Sequence, residues 1–110
     1  MAMQHLRPAS KKWTVFGAAG LASAERQIST SEGIIVRGII VTGGLTSSAA
    51  RIRDSRDGSG NAGPLPSDIL VSANAGETSA VPIQFVTTQG LFIALEQGGA
   101  DNGEATIFYD

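Results

Sequence analysis

The sequence predicts an all-β protein, an antiparallel β-sandwich of seven to eight short strands. Three observations lead there. The longest apolar run, Gly33 to Gly44 (GIIVRGIIVTGG), takes six of its twelve residues from Ile and Val, whose branched Cβ favours a pleated surface over a helix. Short segments of alternating character recur between clusters of Gly, Pro, Asn and Asp. No segment sustains apolar residues at a spacing of 3.6. Its best helical stretch, Ala18 to Arg26, is interrupted by small residues. Jelly-roll connections are one way to wind such strands, and a small closed barrel is the alternative.

The elements follow in order. Residues 1–12 carry Pro8 and Ser10 without periodicity and read as an N-terminal arm, with a single sandwich domain over 13–110. The first strand signal runs to Phe16, with Trp13 and Val15 on one face. Around Glu25 to Ser31, polar Gln27 and Ser29 flank Ile28 as on a half-exposed edge. Glu32-Gly33 turns the chain into the central run. There, strict alternation sets Ile34, Val36 and Ile40 against Ile35, Ile39 and Val41. Both sets are apolar, so this strand is expected inside a sheet with cover on both sides. One sandwich supplies cover for one side. The face bearing Ile35, Ile39 and Val41 is therefore expected to need a neighbouring subunit, a loop or the N-terminal segment.

In Ala50 to Asp54 the alternation puts Ala50 and Ile52 inside, with Arg51 and Arg53 facing out. Residues 55–68 (SRDGSGNAGPLPSD) form the longest loop, dense in Gly and Pro. Ile69 to Ser72 is a short strand, and Asn74 to Gly76 turns the chain. Val81, Ile83 and Phe85 alternate around Pro82, which cannot donate a ladder hydrogen bond and so marks an edge or a bulge. Leu91 to Glu96 is the second strongly apolar strand. Asn102-Gly103 then signals a closing hairpin into Ala105 to Tyr109.

Composition narrows the function. At 110 residues the chain has room for one modest core. No apolar run approaches the roughly 20 residues of a membrane-spanning helix, and the first residues lack the apolar segment of a signal peptide. Without cysteine there are no disulfides, thiolate metal sites or cysteine nucleophiles. Unstapled domains of this size often gain stability by self-association. The net charge of −2 is uneven: Arg7, Lys11 and Lys12 make the start basic, while residues 14–110 set five Arg against ten Asp and Glu. A basic arm ahead of an acidic body suggests contact with something the body does not touch.

No residue pattern states a reaction. The single histidine, His5, lies in the arm, where a general base lacks a rigid support. Asp54 with Asp57 and Asp101 with Glu104 are the carboxylate pairs. A glycosidase cleft would want aromatic walls, and the six aromatic side chains sit mostly at strand positions. Asp57, Ser59, Asn61 and Asp68 echo a calcium loop, but Ala62 stands where that loop needs Gly, and prolines intrude. GSGNAG at 58–63 matches a phosphate-loop pattern in letters alone, without the strand and helix that give it meaning. The acidic body repels nucleic acid, leaving the arm a weak, salt-sensitive contact at most. Catalytic residues, metal and cofactor are therefore all expected to be none.

Three stretches resemble small β-sandwich proteins of tailed-phage virions of the head decoration or cement type. They are the Gly-interrupted strand IIVRGIIVTGG, the RIRD strand leading into DGSG, and the ending GLFIALEQGG…ATIFYD. Together they span roughly residues 33–110. The resemblance implies a structural, non-enzymatic protein that binds the major capsid protein or another virion protein and reinforces the shell. It implies a location on the capsid surface and no membrane partner. A receptor- or glycan-binding module, or a connector or tail component, is the alternative. Residues 1–32 lie outside the resemblance. An arm with Arg7, Lys11, Lys12 and Trp13 is the expected protein interface. Symmetric assembly, with a trimer as the guess, is the expected state.

Overall fold

The computed structural model describes residues 11–16, 23–58, 66–97 and 103–110. These form eight strands and no helix: β1 Lys11–Phe16, β2 Ser23–Ser29, β3 Ile35–Thr42, β4 Ser48–Asp54, β5 Ile69–Ala73, β6 Thr78–Val86, β7 Leu91–Gln97 and β8 Glu104–Tyr109. They build two four-stranded sheets, ordered β1-β8-β3-β6 and β2-β7-β4-β5, and every pairing is antiparallel. Only β4 and β5 are consecutive strands within one sheet. Every other connection crosses between sheets, which is the winding of a jelly roll. The first sheet is called A and the second B.

The core lies between the sheets. Val36, Ile39, Val41, Ala105, Ile107 and Tyr109 from sheet A meet Ala50, Ile52, Val71, Ala73, Leu91, Ile93 and Leu95 from sheet B. The two apolar runs picked out from the sequence thus become β3 and β7, inner strands of opposite sheets. Pro82 lies in β6, an edge strand, as a residue without an amide hydrogen requires. Glu32-Gly33 and Ala75-Gly76 are turns, and Gly33 and Gly76 adopt φ of 83° and 71°, a region that glycine enters without strain.

Three expectations are corrected. First, Asn102-Gly103 does not close a hairpin. β7 pairs with β2 and β4, β8 pairs with β1 and β3, and the link between them changes sheet; Asn102 itself lies outside the described residues. Turn chemistry reports a local bend, while strand partners are chosen by the core. Second, Ile39 and Val41 do not await a partner. They are 1% and 0% exposed within the chain's own core, beside Val36. The pairing slips between Val36 and Gly38 against both neighbours. This bulge reverses the alternation, so Val36 joins Ile39 and Val41 on one face. Third, Arg51 and Arg53 do turn away from the core, but they are buried at 4% and 5% exposure.

Candidate functional site

The predicted interface residues within the described part of the chain fall on both faces of β1. Arg7 lies outside the described residues. Lys11 and Lys12 are exposed and belong to β1, which begins earlier than expected. Directly paired residues share a face, so Lys12, opposite Phe108, lies on the outer face of sheet A. Trp13, opposite Ile107, turns to the core side. Its half-exposed ring receives the Arg26 guanidinium at 4.4 Å, joining edge strand β1 to edge strand β2. Arg26 was not singled out from the sequence, because nothing local links positions 13 and 26.

Among the described residues, nothing packs over the outer face of sheet A. Thr14, Thr106, Ile40 and Ala80 form one row across its four strands, and Lys12, Phe108, Gly38 and Pro82 form the next. The Thr14 and Thr106 hydroxyls meet at 2.8 Å. Charge is confined to the margins. Lys12 lies on β1, Glu104 begins β8, and Arg37 binds Asp110 through Nε and Nη2 at 2.9 and 2.8 Å. Strand β6 carries no ionisable residue, and its Val86 is 55% exposed. A depression of about 340 Å³ lies here beside Arg37, Pro82, Ile83 and Gln84.

The outer face of sheet B is built differently. Phe92 and Ala94 point away from the core, yet both are buried. The 55–68 connection explains part of this. It joins two adjacent antiparallel strands, a task a two-residue turn can perform, and its described ends fold back over the sheet. Gly58 packs against the Phe92 ring so closely that a Cβ there would overlap it. Gln27 anchors the loop. Its Oε1 accepts from the Gly58 amide at 3.0 Å, and its Nε2 donates to the carbonyls of Ser55, Ser29 and Leu91. The β2 bulge between Gln27 and Ser29 accompanies this clamp.

Beyond Phe92 lies a buried ionic cluster. Asp68 accepts from Arg53 Nε at 2.7 Å and Nη2 at 2.8 Å, a two-point geometry well matched to a carboxylate. This hydrogen bonding raises the Arg53 pKa above its ordinary value, against burial, which lowers it. Arg51 donates to half-exposed Glu96 at 2.6 Å and lies 3.5 Å from Asp68. The Arg53 guanidinium also stands 5.5 Å from the Phe92 ring centre. Asp68, the last position of the calcium-like pattern, is thus committed to arginine, and Ser59 and Asn61 lie outside the described residues. Among the described residues no group of three His, Asp or Glu converges.

Asp54 closes the other end of β4. Burial alone would raise its pKa. Hydrogen bonds from the Thr88, Gln89 and Gly90 amides and the Thr88 hydroxyl outweigh that and hold it at about 2. The residue therefore ties the β6–β7 turn to the start of the long loop, and its depressed pKa is structural.

A second depression, of about 380 Å³, opens on the sheet B side, lined by Ser47, Ser48, Ala49, Ser72, Ala73, Asn74 and Glu96. Sequence reasoning missed it because its residues come from three strands and two turns.

No family model and no curated protein matches the chain. Among solved structures it is similar to one described as the crystal structure of PirA, with a TM-score of 0.50 and 13% identity over 91% of this chain and 92% of that one. At that identity the likeness shows the fold alone. No helix among the described residues is long and apolar enough to cross a membrane.

Proposed function

We propose that this chain is a virion structural protein, a cement or decoration module that binds the major capsid protein or another virion protein and reinforces the shell. The observation that carries the reading is the inequality of the two outer faces. Sheet B is covered around Phe92 by the start of its own loop and stapled by buried ion pairs, with Leu70 and Ser72 exposed at its β5 edge. Sheet A presents two rows around Ile40, Phe108, Ala80 and Pro82 whose one charge is Lys12 on the edge strand, in a chain whose body is acidic. The jelly-roll sandwich and the resemblance of residues 33–110 to phage decoration proteins support the same reading. In it, the open face meets the shell, with Lys12 at its margin. Repetition over many shell sites multiplies a modest interface. The working state is a homo-oligomer, with a trimer as the guess, on the capsid surface. The protein is not an enzyme in this reading.

The test is reconstitution on empty shells lacking the protein, with copies located and counted by electron cryomicroscopy. Regular density on the shell is expected, reduced by Val86→Lys or Ile40→Lys. Density at a tail tip or connector instead would transfer the chain to the alternative class of receptor-binding or connector components. Removal of residues 1–10, which spares β1, isolates the arm. Full occupancy after that deletion would leave Arg7 without a role.

A further inference from the structure

We infer that Asp57-Gly58 is a covalent modification site, an aspartate set to isomerise to isoaspartate, and that Gln27 holds the reaction off. It is the only Asp-Gly step in the sequence. The reaction needs no cofactor. The Gly58 nitrogen attacks Cγ of the Asp57 carboxyl group. An N–Cγ bond forms, a Cγ–O bond breaks, and the oxygen leaves as water with the carboxyl proton and the amide proton. Water then opens the resulting succinimide ring at either carbonyl. Opening at the main-chain carbonyl gives isoaspartate, whose backbone runs through the former side chain and is longer by one carbon. Glycine after the aspartate favours ring closure, because no Cβ hinders the approach of its nitrogen.

The two reacting residues lie on either side of a boundary. Asp57 is exposed, so water reaches it, while Gly58 is buried. Both reacting groups are engaged elsewhere. The Gly58 amide donates to Gln27 Oε1 at 3.0 Å. Asp57 Oδ1 accepts from the Ser55 hydroxyl at 3.0 Å, and the Asp57 amide donates to the same oxygen at 3.2 Å. Ring closure has to break the Gly58 hydrogen bond and carry that nitrogen to Cγ. The acceptor that opposes this is itself fixed. Gln27 Nε2 donates to Ser55, Ser29 and Leu91 carbonyls at 2.6, 2.8 and 3.2 Å, which aims Oε1 at Gly58. The slot over Phe92 adds a second restraint, since Gly58 sits there without room for even a Cβ. The reaction therefore proceeds from a locally opened loop. Once made, isoaspartate lengthens the chain between the Ser55 and Gln27 anchors, and a slot without slack cannot take Gly58 back in the same register. Seating and modification exclude each other. The inference concerns the loop on sheet B and does not rest on the shell-binding reading.

The experiment ages the full-length chain at neutral pH and body temperature, beside the same chain unfolded in guanidinium chloride. Samples are then unfolded and digested with a protease that cuts before aspartate but not before isoaspartate. The uncut peptide of residues 54–67, weighed against its two halves by mass spectrometry, gives the isomerised fraction at position 57 alone. The folded parent should react at least about tenfold more slowly than the unfolded chain. Folded Gln27→Ala should react at least about fivefold faster than the parent. Arg37→Ala, which breaks an ion pair on sheet A, should keep the parent's rate. Equal rates for the folded parent and the unfolded chain overturn the inference. So does a folded Gln27→Ala that reacts no faster than the parent, or an Arg37→Ala that reacts as fast as Gln27→Ala. If Gln27→Ala fails to fold, low denaturant added to the parent decides: isomerisation should rise in step with exchange of the Gly58 amide, and a rate indifferent to that opening overturns the inference.

Discussion

The two outer faces of this sandwich solve opposite problems. Among the described residues, sheet A has no cover on its outer face, which carries Thr pairs, half-buried Ile and Phe side chains, and charges at the margins. Sheet B buries part of its outer face a second time, with Phe92 beneath Gly58 and the Gln27 clamp and a salt-bridged pair of arginines beside it, while Leu70 and Ser72 on the β5 edge stay exposed. The difference shows that a four-stranded sheet in a small jelly roll need not be wet over the whole of its outer side. A long loop between adjacent strands can make a second interior, and charged residues can occupy it when each finds a partner. In the proposed reading it also separates the tasks: sheet B consolidates the chain and sheet A meets the shell.

The comparison is broken most severely at Asp68. Asp68→Ala leaves Arg53 buried without its two-point partner, which costs about 3–5 kcal/mol. Urea unfolding should show this as a lower midpoint, and the double variant Arg53→Met with Asp68→Leu should recover most of the loss. Recovery would show that pairing, rather than charge itself, is what the second interior demands. Gly58→Ala comes next. Its Cβ meets the Phe92 ring, so the loop or ring must shift, at about 1–3 kcal/mol. A sharpened loss of protection of the Gly58 amide in hydrogen exchange would place the damage at the roof.

Asp54 gives a smaller, pH-dependent effect. Its folded pKa of about 2 lies below its unfolded value of roughly 3.9. The stabilisation is therefore complete above pH ~4 and is lost as pH falls through about 2. Discounted for solvent screening, it amounts to on the order of 1 kcal/mol. Asp54→Asn should flatten the acid limb of the stability curve. At the seam between the sheets, Arg26→Ala removes the contact with Trp13 and should cost about 0.5–1 kcal/mol, with a shift in tryptophan fluorescence. The smallest effect belongs to sheet A. Val86→Lys should leave thermal stability within about 0.5 kcal/mol of the parent while lowering shell occupancy. A large loss of stability there would erase the contrast between the faces.

Much of the fold was legible in the residues. The β-branched run around Ile39, the alternation of β4 and the Pro82 edge all follow from side-chain sterics and the missing amide hydrogen of proline. The inner position of β3 was legible because that strand carries apolar residues on both faces. Legibility failed where one residue changes parity. The slip at Arg37 and Gly38 moves Val36 into line with Ile39 and Val41, and no local signal at that position reports it. It failed again at Asn102-Gly103, where a good turn sequence joins strands of different sheets.

The candidate sites were harder to read. Lys12 lies on the open face, but Trp13 faces the seam and binds Arg26, a partner visible only after folding. Arg51 and Arg53 looked like solvated charges because alternation reports direction and says nothing of cover. Their burial depends on Asp68, fifteen residues from Arg53, and on a loop that returns over the strand it leaves. The depression at Ala49 exists because register places Glu96 and Ser72 on either side of a methyl group.

By itself, the sequence determined that the chain is all-β, where most strands begin and turn, and that acidic charge dominates after the first strand. These are properties of neighbouring residues, and short-range sterics and alternation decide them. Only the tertiary structure decided which strands pair, which charges are buried and which outer face stays open. Those outcomes rest on contacts between residues far apart in the chain, where a single bulge or returning loop reverses what local pattern implies.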